Sequence, residues 1–144
     1  MQNDYPKKRN GLCIGILSGD RVLFQGPPDK VNGGHKQKVL HLSAISAPKV
    51  DAANGKDEPY GFAAREFLRK RLLGKELPFV IERSINDMEV GYVVYEGKDI
   101  SIDLLLRGYA KLRGDKINAE NIEAYKDAEE EARMSESGIW SLEG

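Results

Sequence analysis

Apolar residues in this chain recur first at a spacing of two and later at three to four. Leu12, Ile14 and Ile16 alternate with other residues over 11–17, which predicts a strand. Ser18-Gly19-Asp20 then reads as a tight turn, and residues 21–25 as a second strand closing a hairpin. Residues 25–36 hold Pro27-Pro28 and Gly33-Gly34, which predicts an excursion that is neither strand nor helix. In 39–49, VLHLSAISAPK, Leu40, Leu42 and Ala44 alternate with Val39, His41 and Ser43, predicting a third strand that ends at Pro48. The apolar set goes inward, so His41 is expected to face outward or into a cleft.

After a polar loop with an Asn54-Gly55 turn signal the period changes. Tyr60, Ala63, Ala64, Phe67, Leu68 and Leu72 share one helical face, with Pro59 suited to the first turn and Gly74 to the C-cap. Arg69, Lys70 and Arg71 in the last turn complement the helix dipole. Strands follow at 77–82 and 89–95, joined through Asn86-Asp87. Ser101 is placed to cap a short helix to Leu106, stopped at Gly108. Asn118 is placed to cap a last helix with Ile122, Tyr125, Ala128 and Ala132 on its apolar face. Gly138 ends that helix, and Trp140 follows as a packing plug. Five short strands with a helix after the third predict an α+β fold, a five-stranded OB-fold β-barrel with three helices. Residues 1–10 are expected to be a basic flexible tail, and 11–144 a single domain.

The 144 residues suit one domain, and 40% hydrophobic with 31% charged residues suits a globular chain. No apolar run reaches the roughly 20 residues of a membrane span, so no membrane partner is expected. Cys13 is the only cysteine, which excludes an internal disulfide and fits a reducing compartment. The net charge of −1 hides a division: residues 1–75 carry 14 Lys/Arg against 7 Asp/Glu, and the rest is acidic. A basic half suits an anionic ligand, whereas the acidic last helix does not suit nucleic acid.

SGDRVLF, the strand ending in AP, DEPYGFAAREFLRKRLLGKEL, GKDIS, LLLRGYAKL and the final GIW resemble the staphylococcal-nuclease-like domain over 11–140. The first helix further resembles the first repeat of the Tudor staphylococcal nuclease proteins. Active members hold one calcium ion on two aspartates, activate water with a glutamate and clamp the phosphate with two arginines. Carried over, Asp20 matches the first metal aspartate, His41 replaces the first arginine and Ser46 the second aspartate, beside Ala47. Lys49 replaces the glutamate, and Met88 or Tyr92 the second arginine. One carboxylate is a poor calcium site, and Lys49 reverses the charge where a base is needed.

The resemblance therefore implies a catalytically degenerate module that binds RNA or another single-stranded nucleic acid, with no metal or cofactor. Lys36, Lys38, His41, Lys49, Arg65 and Arg69 are the candidate binding residues. Asp20 has a simpler role open to it, as a turn residue bonding its own backbone. The resemblance also implies neighbouring repeats of a larger protein, further protein partners, roles in RNA silencing or transcription coactivation, and a cytoplasmic location with the nucleus as a second compartment. The start at Met1 and the close after SLEG read as an excised first repeat. The alternatives are an active calcium-dependent nuclease and a protein-interaction scaffold.

Overall fold

The structure, a computed structural model, describes residues 4–28, 31, 33–51, 55–113 and 119–143. Its first strand, β1 (Lys7–Ser18), begins inside the stretch expected to be a flexible tail. Lys7 to Asn10 carry no apolar pattern, yet they pair with β5 (Glu76–Ile85) from Lys7↔Ile81 to Asn10↔Pro78. Backbone hydrogen bonding holds them where side-chain burial gives no signal. β1 also departs from simple alternation. Its ladder with β2 (Arg21–Pro28) shifts between Cys13 and Gly15 and again between Ile16 and Ser18. Two such irregularities turn Cys13 and Ile16 inward together, while Leu12 and Ile14 stay only partly buried.

β3 (His35–Leu42) pairs antiparallel with β2 through Arg21↔His41, Leu23↔Val39 and on to Pro28↔His35. The excursion expected over 25–36 is thus shorter, because both of its arms are strand. Gly26 makes this possible: any Cβ there would meet the Lys36 carbonyl oxygen. β5 and β6 (Met88–Tyr95) form a hairpin through Asn86 and Asp87, both left-handed at φ 50° and 64°. β6 then pairs in parallel with β3, Leu40↔Glu89 to Leu42↔Gly91, and closes the five-stranded barrel. Gly91 sits where β3, β5 and β6 converge, and a side chain there would strike the Val80 backbone. Inside, the Phe24 and Phe79 rings stack at 4.2 Å among Val22, Leu40, Ile81 and Val93, all but buried.

α1 (Gly61–Leu72) lies against β1 and buries Ala64, Phe67, Leu68 and Leu72, as its period predicts. Gly74 follows at φ +80° and donates its N–H to the Cys13 carbonyl. The short β4 (Ile45–Ser46) pairs with β8 (Lys111–Leu112), and β7 (Lys98–Asp99) turns back to pair antiparallel with the end of β6. α2 (Ile100–Leu106) is capped by Asp99, whose carboxylate accepts the Ser101 N–H at 2.9 Å, so Ser101 receives the cap instead of supplying it. α3 (Ile122–Met134) buries Tyr125, Ala128 and Ala132. Asn121 stands at its N-cap, but its side chain goes to Asp99 at 2.9 Å. Asn118, expected as that cap, and Asn54 of the loop turn lie outside the described residues. A 3-10 turn at Gly138–Glu143 completes the chain.

Candidate nucleic-acid interface

At one end of the barrel the turn between β1 and β2 meets β3 and β4. Ser18 is almost fully buried, and its hydroxyl donates to Asp20 Oδ1 at 2.6 Å while accepting from Arg21 Nε at 3.1 Å. Asp20 Oδ2 accepts the backbone N–H of Ala47 at 3.0 Å. Asp20 therefore ties the turn to β4, instead of bonding its own backbone as expected. Between them Gly19 is squeezed: a Cβ would lie 2.7 Å from Ala64 Cβ and 2.8 Å from Ala47 Cβ.

These contacts frame a cleft of about 550 Å³ lined by Asp20, Arg21, His41, Ser46, Lys49, Asp51 and Arg113, among others. Arg21 and His41 are cross-strand partners. Arg113 arrives from just after β8; its N–H donates to the Ala44 carbonyl at 3.0 Å and its Nε to the Ile45 carbonyl at 3.3 Å. Lys49 is anchored through its backbone, whose N–H donates to Glu58 Oε1 at 2.7 Å, leaving an exposed ammonium arm. Four side chains able to carry positive charge thus share the cleft with two carboxylates. Burial lowers the pKa of His41 below the usual imidazole value, and the Arg21 charge lowers it further, with Asp20 opposing and Arg113 adding. The lowered value favours the neutral imidazole, which carries one N–H and one acceptor nitrogen.

The calcium site that the resemblance brings to mind does not fit these residues. Calcium takes six to eight oxygens, with carboxylates setting its affinity. Both Asp20 oxygens already accept protein hydrogens, Ser46 and Lys49 stand where the resemblance places further carboxylates, and among the described residues Asp51 is the one other carboxylate lining the cleft. Among the described residues no three His, Cys, Asp or Glu side chains are grouped so as to hold a metal ion.

Of the residues singled out from sequence, Asp20, His41, Ser46 and Lys49 come together here. Lys38 does not: its ammonium pairs with Glu89 at 2.9 Å in a neighbouring groove that shares His41 with the cleft. Lys36 is exposed early in β3 and lines neither. Arg65 Nε donates to the Ile16 carbonyl at 2.8 Å, fastening α1 to β1, and Arg69 reaches Glu66 at 3.5 Å; neither lines the cleft. Met88 lies in the neighbouring groove, and the Tyr92 hydroxyl donates to Glu120 at 3.3 Å, away from the cleft. Arg21 and Arg113 were missed by sequence reasoning. Arg21 stands next to Asp20 in SGDR and pairs with His41, so strand register gave a usable signal. Nothing local marks Arg113, whose place depends on β8 pairing with β4.

The chain can now be set beside known proteins. The model of the staphylococcal nuclease homologue family matches residues 39–142. Ribonuclease TUDOR 2 of Arabidopsis thaliana is 30% identical over 139 residues, covering 91% of this chain and 14% of that protein. Staphylococcal nuclease domain-containing protein 1 of Drosophila melanogaster is 29% identical, covering 94% of this chain and 16% of that protein. Probable endonuclease LCL3 of Pyricularia oryzae is 26% identical, covering 90% and 54%. This chain thus spans a small part of the length of the TUDOR relatives. A barrel closed by β3 and β6, three helices and a family match over most of its length lead to one statement: the chain belongs to the staphylococcal nuclease homologue family.

Proposed function

We propose that this domain is a non-catalytic module that grips the phosphodiester backbone of single-stranded RNA in the cleft between β2, β3 and β4. The observation that carries this reading is the convergence of Arg21, His41, Lys49 and Arg113 on one cleft whose Asp20 is already bonded to the protein. Guanidinium and ammonium groups suit phosphate oxygens, and a backbone-directed site reads no particular sequence. Replacement of a water-activating carboxylate by Lys49 removes the base that hydrolysis needs and adds a phosphate contact. In this reading the domain works within a larger Tudor nuclease-like protein, in RNA silencing or transcription coactivation, in the cytoplasm and the nucleus.

Titration of labelled single-stranded RNA at increasing salt tests it. The expected result is binding whose logarithm falls linearly with the logarithm of salt, with Arg21→Ala and Lys49→Ala each weakening it and flattening the slope. Absence of binding at low salt overturns the proposal. Cleavage of the same RNA that stops on addition of a chelator, and that Asp20→Ala abolishes, establishes the nuclease alternative instead.

A further inference from the structure

A second depression, of about 340 Å³, adjoins the basic cleft; Ser46, Ala47 and Pro48 line both. Its chemistry is different. Pro48, Pro59, Ile139, Trp140 and Leu142 supply an apolar wall, and the carboxylate of Glu58, beside it, is already engaged by the Lys49 N–H. Leu142 is 59% exposed there.

The wall is fixed in place by the backbone of the last turn. Ile139 donates its N–H to Gly108 at 2.9 Å and Trp140 to Ser137 at 3.0 Å, while the Tyr60 hydroxyl meets Ser141 Oγ at 3.3 Å. The Arg133 guanidinium, which pairs with Glu129 at 3.8 Å, lies 4.9 Å from the Trp140 ring centroid and steadies the indole. Trp140 is therefore more than the packing plug its sequence position suggests, since its ring also borders an open apolar depression.

A nucleotide has two parts that need different surroundings: an anionic phosphate and a flat, largely apolar base. The cleft suits the first. The adjoining depression sets proline and indole surfaces beside the cleft, with Ser46, Ala47 and Pro48 lining both. We propose that it is a nucleobase subsite, in which a base next to a cleft-bound phosphate lies against Trp140 and the two prolines. This inference rests on the proposed function and adds a preference for unpaired bases, because a base within a duplex cannot turn into a side pocket.

Trp140 is the only tryptophan, so the emission comes from the indole that borders this depression. The test compares an oligouridylate of about ten nucleotides, within the span an OB-fold covers, with an oligomer of 1-deoxyribose phosphate of equal length. The second keeps the phosphates and 2′-hydroxyls and lacks the bases. Both are expected to bind by anisotropy in a salt-dependent way. The base-bearing strand should bind about five- to a hundredfold more tightly and quench Trp140, as base–aromatic stacking provides. The abasic strand should leave the emission unchanged. Leu142→Ser, at an exposed position, should weaken only the base-bearing strand. Equal affinities with silent emission overturn the subsite and leave the cleft reading standing. Equal quenching by both strands also overturns it, since the indole then responds to the cleft and not to a base. Binding of neither strand overturns the proposed function, and the subsite with it.

Discussion

The Asp20 carboxylate accepts the Ala47 N–H at 3.0 Å across 27 positions of sequence, while its other oxygen takes the Ser18 hydroxyl. It thereby holds the β1–β2 turn against β4 and sets the floor of the cleft. Charge-assisted hydrogen bonds of this kind contribute about 1.5–3 kcal/mol each. Asp20→Ala should therefore lower stability by about 2 kcal/mol in urea denaturation. Asp20→Asn keeps an acceptor oxygen and should lose less. Because it removes a negative charge from the cleft, Asp20→Asn should also bind single-stranded RNA a few times more tightly, measured by anisotropy. Weaker RNA binding by a folded Asp20→Asn protein would contradict this account.

His41 titrates below the ordinary imidazole value because burial and the Arg21 charge penalise its cationic form. The unfolded chain then binds the proton more readily than the folded one. The stability His41 gives is present above about pH 6.5, the ordinary value, and is lost as pH falls toward its lowered value. A phosphate in the cleft reverses the penalty, so RNA binding should strengthen as pH falls from 7 to about 5.5. His41→Gln should flatten both profiles, read by denaturation and by anisotropy at fixed salt.

Asp99 responds in the opposite sense. It is 7% exposed, and burial raises its pKa, with bonds from Tyr125, Asn121 and Ser101 opposing. Its raised value means that stability is fullest below the ordinary carboxylate value and declines as pH climbs through the folded one. Asp99→Asn should remove that decline from the melting temperature measured against pH. Tyr125→Phe withdraws a donor from the buried carboxylate and should cost about 1–3 kcal/mol at neutral pH.

Two glycines carry the packing around the barrel and the cleft. Gly91→Ala would drive a Cβ into the Val80 carbonyl on β5, a backbone group that cannot swing aside, and should cost about 3 kcal/mol or more. Gly19→Ala meets two methyl groups at 2.7 and 2.8 Å and should cost about 1–3 kcal/mol, with weaker RNA binding because Asp20 moves with it. Gly34 has open space around its Cβ position, so Gly34→Ala is the neutral control. Urea denaturation of the three variants checks the order.

The elements most legible in the sequence are those whose period is unbroken. α1 buries Ala64, Phe67, Leu68 and Leu72 as its spacing requires, and Leu77, Phe79 and Ile81 face the core as alternation requires. β1 misleads because its irregularities bring Cys13 and Ile16 to one side, and alternation cannot show a bulge. Lys7 to Asn10 look like a tail because their order comes from pairing with β5, a partner far along the chain. The cleft follows the same division. His41 and Lys49 were legible because one short stretch holds both. Arg113 was not, because β8 brings it in from the far end of the chain. Arg65 looked available for a ligand only because its bond to the Ile16 carbonyl is tertiary.

The parallel pairing of β3 with β6 has a consequence for the order in which the molecule assembles. Hairpins such as β5–β6 form between neighbours in sequence, whereas Leu40–Leu42 must find Glu89–Gly91 across the whole stretch that holds β4, α1 and β5, an entropically costly and therefore slow closure. His41 stands on that join, and the Ser43 N–H crosses it to the Gly91 carbonyl at 2.8 Å. The proposed cleft borrows His41 from this join, so a chain in which β3 has not yet closed on β6 lacks the platform on which the proposed polyanion would sit.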